Sequence, residues 1–258
     1  MLGAIAGDMI GSVYEFDNHR SKDFPLFTAA TSFTDDTILS VAVADVLLHG
    51  GDYAKAFKDY YWRYPNPSGS YGARFHQWAA APTLTPYNSW GNGSAMRVSP
   101  VGFAGESLAA VLAEAEKTAA VTHNHPEGIK GAQATAAAIF LARQGRSKDE
   151  IRDYVTEQFG YHLQRTVDEI RPTYTFNESC QGTVPEAIVA FLDATDFEDA
   201  IRNAVSLGGD SDTLTCITGG IAHAFYGAVP DRIRQPVLER LDEPLRKIVE
   251  EFCDRYCQ

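Results

Sequence analysis

Residues 208–226 read GGDSDTLTCITGGIAHAFY: Gly208-Gly209, then Asp210-Ser211-Asp212-Thr213, then a run of apolar and small residues. The Asp, Ser and Thr side chains suit a first helical turn, where they accept from free backbone N–H groups. The run behind them is apolar on one side and does not alternate with period two, so 212–226 reads as a helix. The pattern recurs upstream, where Phe33-Thr34-Asp35-Asp36-Thr37 leads into the apolar stretch 37–49. Two acidic motifs, each opening an apolar helix, set the frame for the rest.

Helical periodicity continues outward from them. Leu245, Ile248, Val249, Phe252 and Tyr256 form one apolar stripe, and Val184, Ile188, Phe191 and Leu192 another. Stretches 53–64, 107–121 and 128–144 are likewise Ala-rich or apolar on one side. Three capping boxes are expected at helix starts: Thr183 with Glu186, Thr195 with Glu198, and Ser147 with Glu150. In the first of these Pro185 would lie in the opening turn. No alternating strands bounded by turns are present. The expected fold is all-α, a single domain over 1–258 built as a compact orthogonal bundle of about ten helices. Residues 64–70 and 82–100 stand apart, dense in Pro, Gly, Ser and Asn. Long loops in compact domains are commonly functional. The second, PTLTPYNSWGNGSAMRVSP, carries Tyr87, Trp90 and Met96 and reads as a binding loop.

Bulk properties narrow the class. A chain of 258 residues buries roughly three quarters of its unfolded surface, so it needs no disulfides. Cys180, Cys216, Cys253 and Cys257 form no zinc set and are expected as free thiols. No apolar run approaches the ~20 residues of a membrane span, and Met1–Ile10 lacks a basic n-region and contains Asp8. A cytoplasmic monomer is the expectation. The net charge of −12 argues against nonspecific binding to nucleic acid or anionic lipid, though a local phosphate site remains compatible with it.

Helix capping alone does not explain the acidic motifs, because one cap needs one such residue. Adjacent carboxylates in a poorly solvated first turn raise each other's pKa unless a cation neutralises them. Oxygen-only donors suit hard cations such as Mg²⁺, Mn²⁺ or Ca²⁺ rather than zinc. If the motifs converge, Asp35, Asp36, Asp210 and Asp212 balance two divalent ions, which sit roughly 3.5–4 Å apart in two-metal sites.

With these residues assembled, the chain resembles the ADP-ribosylglycohydrolase family. The matching motifs run in order: Gly3-Ala4-Ile5-Ala6-Gly7-Asp8 with Gly11 and Glu15, then Thr34-Asp35-Asp36-Thr37, then Gly91-Asn92-Gly93-Ser94-Ala95-Met96-Arg97, then Thr122-His123, then Gly209-Asp210-Ser211-Asp212-Thr213. The resemblance implies an all-α protein with a central cleft for two Mg²⁺ or Mn²⁺ ions. Thr34, Asp35 and Asp36 would hold one ion. Asp210, Asp212 and Thr213 would hold the other, with Asp212 bridging. Gly91, Asn92, Gly93, Ser94, Met96 and Arg97 would wrap ADP-ribose, and His123 would line the same cleft. Glu15, Asp35 or Asp36 would supply the catalytic carboxylate.

Simpler roles stand beside these. Asp8 is expected to be structural, bonding to a neighbouring loop. His123 and His125 fit a helix start, Arg97 fits either a phosphate contact or neutralisation of an acidic cleft, and Trp90 and Tyr87 fit core packing as well as adenine stacking. The implied activity is hydrolysis of the bond between ADP-ribose and an acceptor: arginine, serine, a base or a small molecule. The alternatives are a non-catalytic ADP-ribose binder, a structural use of the same fold, and a hydrolase of another ribosyl metabolite such as O-acetyl-ADP-ribose. The acceptor itself is not written in the motifs.

Overall fold

The structure is a computed structural model that describes residues 1–257. Among these residues there are fifteen α-helices. They are α1 (Leu2–Gly11), α2 (Asp35–His49), α3 (Tyr53–Arg63), α4 (Ala73–Ala80), α5 (Gly93–Met96), α6 (Ser99–Ala104), α7 (Leu108–Ala120) and α8 (Pro126–Arg143). The rest are α9 (Lys148–Phe159), α10 (Val167–Ile170), α11 (Cys180–Leu192), α12 (Phe197–Leu207), α13 (Ser211–Tyr226), α14 (Asp231–Arg240) and α15 (Glu243–Tyr256). Extended pairing among the described residues is confined to isolated bridges, Thr34 with Ser68 and Gly91 with Ser179. The fold is all-α. Part of the excess over the expected ten comes from the Pro/Gly-rich stretch 82–100, which closes with two short helices, α5 and the start of α6.

The centre is the pair α1 and α13. Every residue of α1 is buried, and so is α13 from Ser211 to Ala224. Gly3, Gly7 and Gly11 recur every four residues on α1 and let the backbones meet. A Cβ built at Gly7 would lie 1.9 Å from the Thr215 carbonyl oxygen. The small side chains therefore set the helix separation, and with it the distance between the α1–α2 loop and the head of α13. Gly7→Ala is expected to cost about 3 kcal/mol, because neither backbone can retreat within a packed core. In thermal melts that is a fall of roughly 10 °C for a chain of this size; an unchanged midpoint would refute the close approach. α8, α11 and α12 pack around α13, and α2 packs on α1.

Two of the three expected capping boxes are displaced. Ser147 and Glu150 form the full box expected at α9. At α11, however, the cap is Ser179, accepting from Gly182 N, so the helix starts earlier and Pro185 lies inside it. Thr183 is a helical residue whose hydroxyl donates to the Asn177 carbonyl. At α12 the cap moves one residue on, to Asp196, which accepts from Asp199 N, while Thr195 donates to the Asp199 carboxylate. Cap-competent residues stand side by side at both places, and tertiary contacts choose between them. The four cysteines are free. No helix among the described residues is long and apolar enough to cross a membrane.

Candidate active site

The first acidic motif is anchored from beneath by Asp8. This carboxylate is buried on α1 and points at the head of α2. It accepts from the Thr34 N–H (3.0 Å), the Thr34 hydroxyl (2.7 Å), the Thr37 N–H (3.1 Å) and the Thr37 hydroxyl. Asp8 is thus the structural residue the sequence suggested. It also spends the Thr34 proton, so Thr34 Oγ1 presents only lone pairs elsewhere, one of which accepts from Asp36 N at 3.2 Å. Asp35 is half-buried and Asp36 buried, and Asp36 Oδ2 has no hydrogen-bond partner.

The second motif is shaped by its glycines and by two asparagines. Gly208 and Gly209 both have positive φ, +69° and +75°, which turns the chain from α12 into α13. A side chain at Gly209 would also strike the Tyr174 ring, at 2.6 Å. Asn18 brackets this turn: its Oδ1 accepts from Gly209 N (2.7 Å), and its Nδ2 donates to the carbonyls of Gly209 (3.1 Å) and Glu15 (2.8 Å). The Glu15 loop is thereby tied to the head of α13. On the other side Asn92 Nδ2 donates to Asp210 Oδ2 (2.7 Å) and to Thr183 Oγ1 (3.0 Å). Asp212 Oδ1 accepts from Thr213 N at 2.8 Å. The result is convergence: Glu15, Asp210 and Asp212 each offer one carboxylate oxygen, all within 4.8 Å of one another.

So many carboxylates in so little water disturb one another. Burial, followed by the charges of Asp210 and Asp8, pushes Glu15 up to about 7. Asp35 and Asp36 are raised well above the usual carboxylate range by burial first and by Asp8 next. Asp212 is raised likewise, by burial and then by Asp210. A hard cation fits this donor set. It would supply the unpartnered Asp36 Oδ2 and offset the mutual repulsion, and every donor is an oxygen.

These groups open on a cavity of about 360 Å³. One wall carries Glu15, Asp35, Asp36, Asp210, Asp212 and Thr213. The loop from Ser89 to Gly93 lines the same cavity, held to the start of α11 by Asn92 N donating to Glu178 O (2.8 Å) and Cys180 N to Trp90 O (3.0 Å). His123 lies against this loop, its Nε2 3.1 Å from where a Gly93 Cβ would stand. Its imidazole is held neutral, chiefly by burial and then by the nearby Arg97 and Arg74 charges.

Residues 1–258 match the family described as ADP-ribosylglycohydrolase. The chain belongs to the ADP-ribosylglycohydrolase family. It is 27% identical to the ADP-ribosylarginine hydrolase Tri1 of Pseudomonas putida, over 99% of this chain and 77% of that one. It is 27% identical to the human ADP-ribosylhydrolase ARH3, over 91% of this chain and 87% of that protein. A solved structure named as an ADP-ribosylglycohydrolase-related protein complex superposes with a TM-score of 0.71, at 26% identity, covering 97% of this chain and 95% of that one.

Within this ADP-ribosylglycohydrolase the expected site residues do not all face the cavity. Gly91, Asn92, Gly93, Met96 and His123 line it, as do the acidic residues. Thr34 sits behind them as the cap of α2. The Ser94 side chain turns away from the expected ligand side: it is fully buried and donates to the Gly128 carbonyl at 2.7 Å, so only its backbone can serve a ligand. Arg97, expected against phosphate, reaches the back wall of the cavity but has no exposed surface. Its guanidinium lies over the Phe57 ring and donates to Thr118 O and Thr122 Oγ1. Its Nε and Nη1 have no hydrogen-bond partner in the protein. Asn18, Arg74 and Phe176 were not singled out by the sequence. Arg74 and Phe176 line the cavity, yet neither lies in a motif or on a periodic stripe.

Proposed function

We propose that the chain hydrolyses the glycosidic bond joining ADP-ribose to an acceptor, with two hard divalent cations, Mg²⁺ or Mn²⁺, held by Thr34, Asp35, Asp36, Asp210, Asp212 and Thr213. The observation that carries this reading is the meeting of carboxylates from three separate segments on one cavity, which the Gly91–Gly93 loop also lines. The relatives named as ADP-ribosylhydrolases support the choice of substrate.

When bound, the cations would fix the ribose hydroxyls and lower the pKa of a coordinated water. The chain's own groups do the rest. Bond cleavage at the anomeric carbon develops oxocarbenium character, which nearby carboxylates stabilise. Glu15 is half-exposed to the cavity beside Asp210 and Asp212, which suits it to take a proton from the attacking water. Asp35 and Asp36 are the other candidates for that step. Gly91 and Gly93 lack side chains and let the diphosphate approach the backbone. Asn92 keeps Asp210 aimed at the cavity.

The test incubates the protein with arginine-, serine- and thymidine-linked ADP-ribose and with O-acetyl-ADP-ribose, each with Mg²⁺, with Mn²⁺ and with chelator. Release of ADP-ribose from at least one, abolished by chelator, is the expected result, and the active member identifies the acceptor. Metal-replete protein that releases nothing but binds ADP-ribose would make the chain a non-catalytic binder.

A further inference from the structure

The back wall of the cavity contains a short polar chain that ends on His123. Arg97 Nη2 donates to Thr122 Oγ1 at 2.8 Å, and Thr122 Oγ1 lies 2.7 Å from His123 Nδ1. Arg97 and Thr122 have no exposed surface, and His123 is 5% exposed. The same Nη2 also donates to the Thr118 carbonyl at 2.9 Å, and the guanidinium rests 4.3 Å from the Phe57 ring centroid.

The direction of the chain follows from proton counting. A guanidinium only donates, so the Thr122 oxygen must accept from Arg97. The single Thr122 proton is not used on Arg97, and giving it to the other neighbour, Nδ1, is the arrangement in which that proton also finds an acceptor. A neutral imidazole that accepts at Nδ1 carries its proton on Nε2. The Tyr87 phenol beside Thr122 is pushed up to about 12 by burial and keeps its own proton, so it too can donate to the Thr122 oxygen and leave the Thr122 proton for Nδ1. Nε2 is also the ring atom turned to the Gly91–Gly93 loop, and it has no hydrogen-bond partner among the described residues.

We infer that Arg97 and Thr122 are positioning residues that lock His123 as the Nε2–H tautomer, so that it presents a neutral donor to an anionic diphosphate seated on the Gly91–Gly93 loop. This rests on the ADP-ribose reading for the identity of the ligand, but not for the tautomer. A serine at position 122 would keep the relay and a valine would break it, because valine matches threonine in shape without the hydroxyl. With valine, nothing orients the ring, and Nδ1–H competes with Nε2–H. The cation of Arg97 then acts on ligand through two intervening side chains.

The experiment is long-range ¹H–¹⁵N correlation of the His123 ring in ligand-free protein, beside calorimetric titration with ADP-ribose. In the wild type, Nδ1 should resonate as an unprotonated nitrogen and Nε2 as a protonated one. Thr122→Val should mix the tautomers and weaken ADP-ribose binding by roughly twofold, the factor for a competent tautomer that falls to about half. Thr122→Ser should restore both. A protonated Nδ1 in the wild type would overturn the relay without any variant, and without touching the proposed function. Mixed tautomers in Thr122→Val with unchanged affinity would overturn its role in binding. A wild type with the expected tautomer and no affinity for ADP-ribose would instead overturn the proposed function, and the ligand side of this inference with it.

Discussion

Asp212→Asn should lower kcat for ADP-ribose release by roughly a thousandfold while making the chelator-treated protein more stable. The two effects come from one cause. Asparagine keeps the shape of aspartate and an oxygen for the Thr213 N–H, which now bonds Asp212 Oδ1. What it removes is a charge that the folded chain holds at a cost, because burial and Asp210 both oppose ionisation there. Without a cation that charge only destabilises, so its loss should raise the melting midpoint by a few degrees, about 1 kcal/mol. With a cation it is a ligand, and its loss weakens the site on which the chemistry depends. Asp36→Asn should behave alike, since Asp36 Oδ2 has no partner in the protein to lose. Activity within tenfold of wild type would sink the metal-ligand assignment. A lower midpoint in chelator would show instead that the carboxylate is structural.

The long regular elements could be read in advance, and so could the identity of most acidic groups. α2, α8 and α13 each announce themselves by an apolar or small-residue side behind a polar first turn. The resemblance placed Glu15, Asp35, Asp36, Asp210 and Asp212 together, and all five line one cavity. Less legible was what holds them there. Asn18 reaches Gly209 across 191 residues, and Asn92 reaches Asp210 across 118. A single side-chain hydrogen bond between distant loops leaves no period and no spacing rule in the sequence. Asp8 was legible as structural but not in detail, because four hydrogen bonds to one carboxylate need the head of α2 to be in place. The inward turn of the Ser94 side chain was not legible for a related reason. A motif is written along the chain, whereas α5 is a single helical turn that puts Gly93 and Met96 on the cavity and Ser94 in the core. The displaced caps at α11 and α12 show the same limit on a smaller scale: Ser179 and Asp196 won over nearby threonines through their surroundings.

The metal-free protein should lose stability as pH rises from about 5 to 8, and Mg²⁺ should restore it most strongly at the alkaline end. Glu15 has an ordinary value near 4.5 and is pushed to about 7 in the folded chain. Asp8, Asp35, Asp36 and Asp212 are raised above their ordinary value near 3.8 in the same direction. A raised carboxylate keeps its proton in the fold after the unfolded chain has released it. Its contribution is therefore fully present below about pH 4 and is lost as pH climbs towards the folded value, at up to ~1.4 kcal/mol per pH unit for each proton. Glu15, half open to water, contributes a reduced share. Carboxylates elsewhere act oppositely: Glu198 and Asp199, lowered by Arg232 and Lys22 despite partial burial, lose stabilisation only in acid. The two trends place the metal-free optimum near pH 5. Cation binding requires the site to ionise, so protons compete with it, and the stabilisation by a fixed Mg²⁺ concentration grows with pH. Melting curves at pH 5, 6.5 and 8, with chelator and with Mg²⁺, separate the cases. A metal-free midpoint that rises from pH 5 to 8, or a Mg²⁺ shift no larger at pH 8 than at pH 5, would mean that these carboxylates are not a preformed, self-repelling cation site. The same curves for Asp212→Asn should be flatter in chelator and less responsive to Mg²⁺, because one repelling charge and one ligand have gone together.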